Sequence, residues 1–388
     1  MTSALAPLGP DFHRQTVAAV QQTLSERRLE GALFLMPANV QYLCGWRFSV
    51  NERPIGLLVR QKGEPLLLVP DLERENAMAV PGVEVECYEE FPGETPPVLW
   101  MAERAGVRSL AIDQLDAVLL APLQAMMNEV RLQDLAAPLR FIKTPAELAL
   151  VREAARFADL CLTRLLSQAG TIIASGGTEL DLLDDCTGFA RAALVSKHGE
   201  TFAGTKLGIT ASVHSGPRAA LPHGATSRRR PQHGETLIAG IGASLGGYHA
   251  ESGITLVIGD MSPEQHRIMQ AMQACNDAAI ANLTPGAECA EVNRAALDAL
   301  RQAGLSDTIR HRIGHGMGLE GHEAPWLAPG DRTAVATGMV FSNEPGVYRP
   351  GRDGYRTINT MIVTETGVEI PSRFQADHPI ETRVITLS

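Results

Sequence analysis

The stretch Thr144-Pro145-Ala146-Glu147 constrains this chain more than any other four residues in it. A threonine hydroxyl can accept from an early backbone N–H of a helix, a proline suits the first helical position because its φ is already fixed, and a glutamate three places after the cap can reach back to the cap's own N–H. A long helix is expected to start here. The segment before it, Arg131 to Lys143, has no strong hydrophobic period and reads as a boundary between folding units. At 388 residues the chain also exceeds the roughly 250 to 300 at which single cores stop growing. Two domains follow, residues 1–138 and residues 139–388.

In the first, Val17, Val20 and Leu24 recur at helical spacing between Phe12 and Arg28, and Asp11 is placed to cap the first turn. Short apolar runs follow at Ala32 to Met36, Ile55 to Val59, Pro65 to Val69, Val83 to Cys87 and Ser109 to Ile112, each of strand length. Helical patches at Val98 to Arg104 and Leu120 to Val130 bracket the last of them. The pattern predicts a small α/β domain with a mixed sheet. In the second domain, Thr178 opens a helical run to Val195, and Ser262-Pro263-Glu264-Gln265 repeats the capping logic before a helix to Ala281. Val292, Ala296, Leu297 and Leu300 form one more helical face, ending near Gly304. Strand-like runs at Thr236 to Ile241, Ile254 to Ile258, Gly338 to Ser342 and Thr360 to Thr364 lie between. Helices interleaved with antiparallel-type strands give an α+β domain.

Composition narrows the chemistry. With 34 basic against 44 acidic side chains the formal charge is −10, which argues against a nucleic-acid partner held by phosphate neutralisation. No run approaches the roughly 18 apolar residues of a membrane-spanning helix. The first ten residues lack a basic region and contain Pro7 and Pro10, unlike a secretion signal. Six cysteines without a C-x-x-C pair suggest neither a disulfide framework nor a zinc knuckle. A cytoplasmic protein working on small molecules is the expectation.

Polar functional groups crowd into Pro222-His223-Gly224, Gly247-Tyr248-His249-Ala250-Glu251, Gly314-His315-Gly316-Met317-Gly318, Gly321-His322-Glu323 and Asn343-Glu344-Pro345-Gly346. Singly, each reads as a satisfied or solvated residue. Together with their glycines, which let backbone approach a ligand, they mark a site, and Pro345-Gly346 reads as a turn that presents Glu344 at a strand end.

In order and spacing these segments resemble the pita-bread family of creatinase, prolidase and aminopeptidase P. The likeness runs from Ser215-Gly-Pro-Arg-Ala-Ala-Leu-Pro-His-Gly through Gly247-Tyr248 and Gly314-His-Gly-Met-Gly-Leu-Glu-Gly-His-Glu to Asn343-Glu-Pro-Gly-Val-Tyr and Val363-Thr-Glu, with Asn39-Val-Gln-Tyr-Leu-Cys-Gly in the first domain. The resemblance implies a creatinase-type α/β N-terminal domain, a pita-bread catalytic domain and pairing as a homodimer. Family peptidases hold two divalent metals with two aspartates, a histidine and two glutamates. Carried onto this chain, those positions fall on Gly240, Glu251, His315, Glu344 and Ile358, so two of the donors are missing and a two-metal site is not expected. A single divalent metal (Mn, Zn or Co) on Glu251, His315 and Glu344 is one alternative.

The leading expectation is a metal-independent hydrolase with no cofactor. His223 matches creatinase's catalytic histidine and would act as general acid and base, with Glu344 and Glu251 orienting the substrate or an imidazolium. By the same resemblance His315, His322 and Arg356 bind substrate, Arg356 clamping a carboxylate unless it merely forms a surface ion pair. Creatinase-like sequences have an acid two residues after the Glu251 position, where this chain has Gly253, so creatine is not assigned. His249 and His311 are read as pocket wall or support, Trp326 as wall packing, and Arg228 to Arg230 as a solvated turn. Three functions are carried forward. The first is hydrolysis of an amide, amidine or peptide C–N bond in a small carboxylate-bearing substrate. The others are an Xaa-Pro dipeptidase or aminopeptidase with one residual metal, and an inactive ligand- or partner-binding module.

Overall fold

The computed structural model describes residues 5–387, in which Pro7–Arg140 forms one compact unit and the chain from Phe141 onward the body of a second. In the first, six strands form a mixed sheet in the order Glu84–Tyr88, Leu66–Pro70, Gly56–Arg60, Gly31–Phe34, Ser109–Ile112, Glu129–Leu132. Gly31–Phe34 runs antiparallel to Gly56–Arg60 and parallel to Ser109–Ile112. The unbroken apolar runs Gly31–Phe34 and Leu66–Pro70 are buried throughout, as strands covered on both faces must be.

Three local expectations change here. The helix expected over Leu120 to Val130 stops at Met126, and Glu129–Leu132 becomes an edge strand parallel to Ser109–Ile112; the ladder outweighs a weak helical period. Asp11 is not the cap: the helix Pro10–Arg27 starts after Gly9, leaving Asp11 inside its first turn. Pro37–Cys44, given no element from sequence, is a helix. Its buried Asn39 donates to Asp113 and Asp134, each at 2.9 Å, and accepts from Arg140 at 2.9 Å. That motif therefore holds the unit together.

The second unit opens with the helix Pro145–Ala174, and the capping box at Thr144 and Glu147 is formed. The other Glu147 oxygen accepts from the buried Tyr248 hydroxyl at 2.6 Å, tying the helix start to the sheet. Boxes at Thr178 and Ser262 start the helices Glu179–His198 and Pro263–Asn282. Among the described residues the sheet has nine strands. Its main path runs Glu323–Leu327, Gly314–Gly316, Val340–Asn343, Ile358–Thr364, Tyr248–Ile258, Thr236–Leu245, Gly208–Ser215, with Gly367–Glu369 beside Ile358–Thr364 and Val384–Ile385 beside Tyr248–Ile258. Pro263–Asn282 and Cys289–Gln302 bury Ile268, Met272, Val292 and Leu300 against Phe341, Met361 and Val363 of the sheet. Gly208–Ser215 was not expected as a strand, and Tyr248–Ile258 begins six residues earlier than its apolar run because its first half carries the polar residues of the cavity described next. The six cysteines are free, all buried except the half-buried Cys87. No helix among the described residues is long and apolar enough to cross a membrane.

Candidate active site

A cavity of about 350 Å³ lies against Gly208–Ser215, Thr236–Leu245 and Tyr248–Ile258. His223, Glu251, His322, Glu344 and Arg356 all line it, as do Gly240 and Ile358. His315 is fully buried, with Nε2 3.5 Å from Glu344 Oε1 and 3.9 Å from Glu251 Oε2. The fold thus brings all six candidates together.

Register explains how. His315 stands opposite Ser342, and Ser342 opposite Thr360. Ser342 Oγ donates to Glu251 Oε2 at 2.8 Å, while Thr360 Oγ1 accepts from the Glu251 amide and donates to its carbonyl, each at 2.8 Å. Both ends of Glu251 are clamped. Burial first, and then the charge of Glu344, push its carboxyl up to about 7. Glu344 follows the strand Val340–Asn343, whose last residue donates to Asn276 at 2.9 Å; Asn359 donates to the same oxygen at 2.8 Å.

His315 is set up as a lone-pair donor. Its Nδ1–H donates to the Gly316 carbonyl at 3.0 Å, and burial holds the ring below its ordinary pKa, so the neutral form leaves an unshared pair on Nε2. That buried Nε2 has no hydrogen-bond partner. The His322 ring stacks on it at 3.8 Å, and single ligand atoms of Glu251, His315 and His322 all lie within 4.8 Å of one another. An acceptor nitrogen facing two carboxylates is a place for one cation or a strong donor. His322 joins Glu251 and His315 here, where the sequence reading had Glu344 as the third ligand and His322 as a substrate-binding group.

The opposite side of the cavity is built differently. Gly240 pairs with Gly253, and Gly253 with Ile358 on the next strand. A Cβ on Gly253 would come within 2.7 Å of Ile358 Cδ1 and Cγ1, and one on Gly240 within 3.3 Å of Ile358 Cδ1 and 2.7 Å of Arg356 Nη2. The three departures from the family pattern are therefore one packing unit: an isoleucine and a guanidinium fill the space above two facing glycines. Arg356 is buried, donating to the Pro222 carbonyl at 3.0 Å and Ser212 Oγ at 3.3 Å, so it is no surface ion pair. Paired metals do not fit this side. One cation fits the other, where the orphaned Nε2 of His315 points at carboxylates.

His223 and the other singled-out residues stand outside the cluster of His315 and the two carboxylates. His223 is exposed on the cavity rim, beside the Pro222 carbonyl that Arg356 holds. His249 lies between Lys206 Nζ at 2.7 Å and the Gly318 carbonyl at 3.0 Å, and burial pushes its pKa down to about 4. His311 bonds the Tyr348 hydroxyl at 2.9 Å, and Trp326 carries Arg312 over its ring at 4.6 Å. The Arg228 to Arg230 segment is not simply solvated: Arg229 donates to Glu235 and to Ser215 Oγ. Sequence reasoning missed Glu179, fully buried at a helix start, which accepts from Ser215, Arg218 and Ser227 and so holds the loop carrying His223. It also missed His214, for which a lone histidine on an unexpected strand gave no signal.

Comparison with known proteins decides the family. Residues 149–365 match the description Metallopeptidase family M24, and residues 17–141 match Creatinase/Prolidase N-terminal domain. The chain belongs to metallopeptidase family M24. It has that family's pita-bread fold behind a creatinase-type N-terminal domain, and it is a hydrolase of the creatinase and Xaa-Pro peptidase type. A probable dipeptidase PepE of Mycobacterium bovis is 30% identical over 92% of this chain and 93% of that protein. An Xaa-Pro dipeptidase of Pyrococcus furiosus is 26% identical over 89% of this chain and 94% of its own. The crystal structure of dipeptidase PepE from Mycobacterium ulcerans superposes with a TM-score of 0.83 at 28% identity, covering 98% of this chain and all of that one.

Proposed function

We propose that this chain is a dipeptidase-type hydrolase with a single-cation site. Water adds across a C–N bond of a small carboxylate-bearing substrate: hydroxyl to the acyl carbon, proton to the leaving nitrogen. The observation that carries this is the buried, unpartnered Nε2 of His315 between two carboxylates. Glu251, His315 and His322, with Glu344 alongside, would hold the ion, and when bound it would supply Lewis-acid polarisation of the scissile carbonyl.

The chain's own groups do the rest. Arg356, fixed by Pro222 and Ser212, presents its guanidinium to the substrate carboxylate. Glu344, alongside the ion rather than among these three ligands, can take a proton from water and return it. His223, on the open rim, is placed to deliver a proton to the leaving nitrogen. The relatives named as dipeptidases and the family's description as metallopeptidases support putting this reading first.

A second reading, hydrolysis without metal through His223 and with a cationic substrate group beside His315, is favoured by Gly240 and Ile358, which offer no donor and whose side of the cavity Ile358 and Arg356 fill. The two separate in one experiment. Protein stripped with chelator and titrated with Mn, Zn or Co is expected to bind one ion per chain and regain dipeptide hydrolysis; undiminished hydrolysis in the stripped protein, abolished by His223→Ala, would support the second reading instead. Arg356→Lys is expected to raise KM about tenfold to a hundredfold, because the planar two-point fork is lost. Homodimer formation belongs to the same proposal and is read by light scattering.

A further inference from the structure

His214 sits on the cavity wall with no part in the scheme above. It is 1% exposed, lines the cavity, and its Nε2 has no hydrogen-bond partner. Residues two apart on a strand share a face, so His214 lies on the same face as Ser212, which accepts from Arg356. The Gly224 backbone carbonyl contacts the ring. Because Nε2 is the unpartnered nitrogen, it is Nδ1–H that donates to that carbonyl. Nε2 then carries a lone pair: a buried acceptor beside a buried guanidinium whose own Nε is likewise unpartnered. Wall groups with no mate in the protein are complementary to a ligand that brings both an acceptor and a donor.

We propose that His214 determines substrate specificity: its Nε2 accepts a hydrogen bond from the N–H next to the carboxylate held by Arg356, so that the site selects dipeptides joined by a secondary amide over those ending in proline. This rests on the dipeptidase reading. A prolyl bond has a tertiary amide with no hydrogen to give, and it would leave Nε2 buried without a partner. A site built around a hydrogen bond rejects the analogue that lacks it.

The test compares glycylglycine with glycylsarcosine, which differ by one N-methyl group, and alanylalanine with alanylproline, in wild type, His214→Ala and His214→Asn. Wild type is expected to favour the N–H member of each pair by roughly tenfold to a hundredfold in kcat/KM. His214→Ala should lose that factor on the N–H substrates only, bringing the ratio near one, and His214→Asn, whose amide oxygen can accept, should restore part of it. A wild-type ratio near one, or equal losses on both members of a pair, overturns the inference while leaving the dipeptidase reading intact. If wild type turns over neither member, calorimetric binding of the same pairs reads the discrimination, and equal affinity overturns the inference. If neither binds, the dipeptidase reading fails and this inference with it. Nitrogen-15 NMR of histidine-labelled full-length protein gives a readout independent of folding variants: a protonated Nε2 on His214 at neutral pH also overturns it.

Discussion

Two buried regions among the described residues of the second unit set carboxylates against histidine, and only one of them is satisfied. Where Pro145–Ala174 meets the end of Glu179–His198, Glu153 accepts from His198 at 2.8 Å and from Lys197 at 2.6 Å, and the His198 ring lies edge-on to Phe157 and Phe202. In the cavity, His315 stands 3.5 Å from Glu344 with its Nε2 unbonded, and Glu251 is pushed towards neutrality. The same residue types serve cohesion where every partner is present and chemistry where a partner is withheld. An unpaired buried polar group costs about 1 to 3 kcal/mol, so the cavity carries a cost that the helix pair does not.

That contrast can be broken. Replacing a cavity group should remove activity and leave stability nearly untouched, whereas replacing a paired group should do the reverse. The largest effect is expected for Glu344→Gln, which keeps the shape but removes the charge facing His315: kcat/KM should fall about 10² to 10³-fold, with a melting temperature at or above that of wild type. A variant that unfolds instead would erase the distinction between the regions. Next comes Lys143→Ala. Lys143 and Glu323 form an ion pair at 2.9 Å with side chains 1% and 6% exposed, and removing the ammonium takes the counter-charge from a buried carboxylate. Unfolding in urea should show a loss of about 3 to 5 kcal/mol.

The smallest effect sharpens the comparison through pH. Burial alone would raise the Glu153 carboxyl, but hydrogen bonds from Lys197 and His198 outweigh it and hold the group below its ordinary value. A carboxyl with a depressed folded pKa adds stability above its unfolded pKa of about 4.3 and loses it as pH falls through the folded value. Glu153→Gln should therefore lower stability by about 1 kcal/mol at pH 7, an amount already discounted for partial solvent screening. The difference from wild type should vanish in urea titrations well below pH 4, with dipeptide hydrolysis per folded molecule unchanged at pH 7.

What could be read before any fold was known follows the range of the interactions. The helices at Thr144, Thr178 and Ser262 were legible because a capping box is contained in four residues. The strand Gly208–Ser215 was not, since Thr210, Ser212 and His214 interrupt its apolar pattern to face a cavity. Glu179 had no part in the sequence reading, and only its neighbours from Ser215 to Ser227 reveal it as the anchor of a loop. His223, Glu251, His315, His322, Glu344 and Arg356 were legible as a set because their glycine-rich surroundings resemble a known family. Gly240, Gly253 and Ile358 were visible as departures, but that they touch one another depends on strand pairing across more than a hundred residues, which composition and local period do not carry.

Those three positions interlock on neighbouring strands, and this limits how the chain can drift. A bulkier residue at Gly253 meets Ile358, and one at Gly240 meets both Ile358 and Arg356. Placing carboxylates at Gly240 and Ile358 would have to change several of these positions at once, because a side chain at either glycine overcrowds its neighbours. The isoleucine works as a plug: while it is seated, the open room for a cation lies on the other wall.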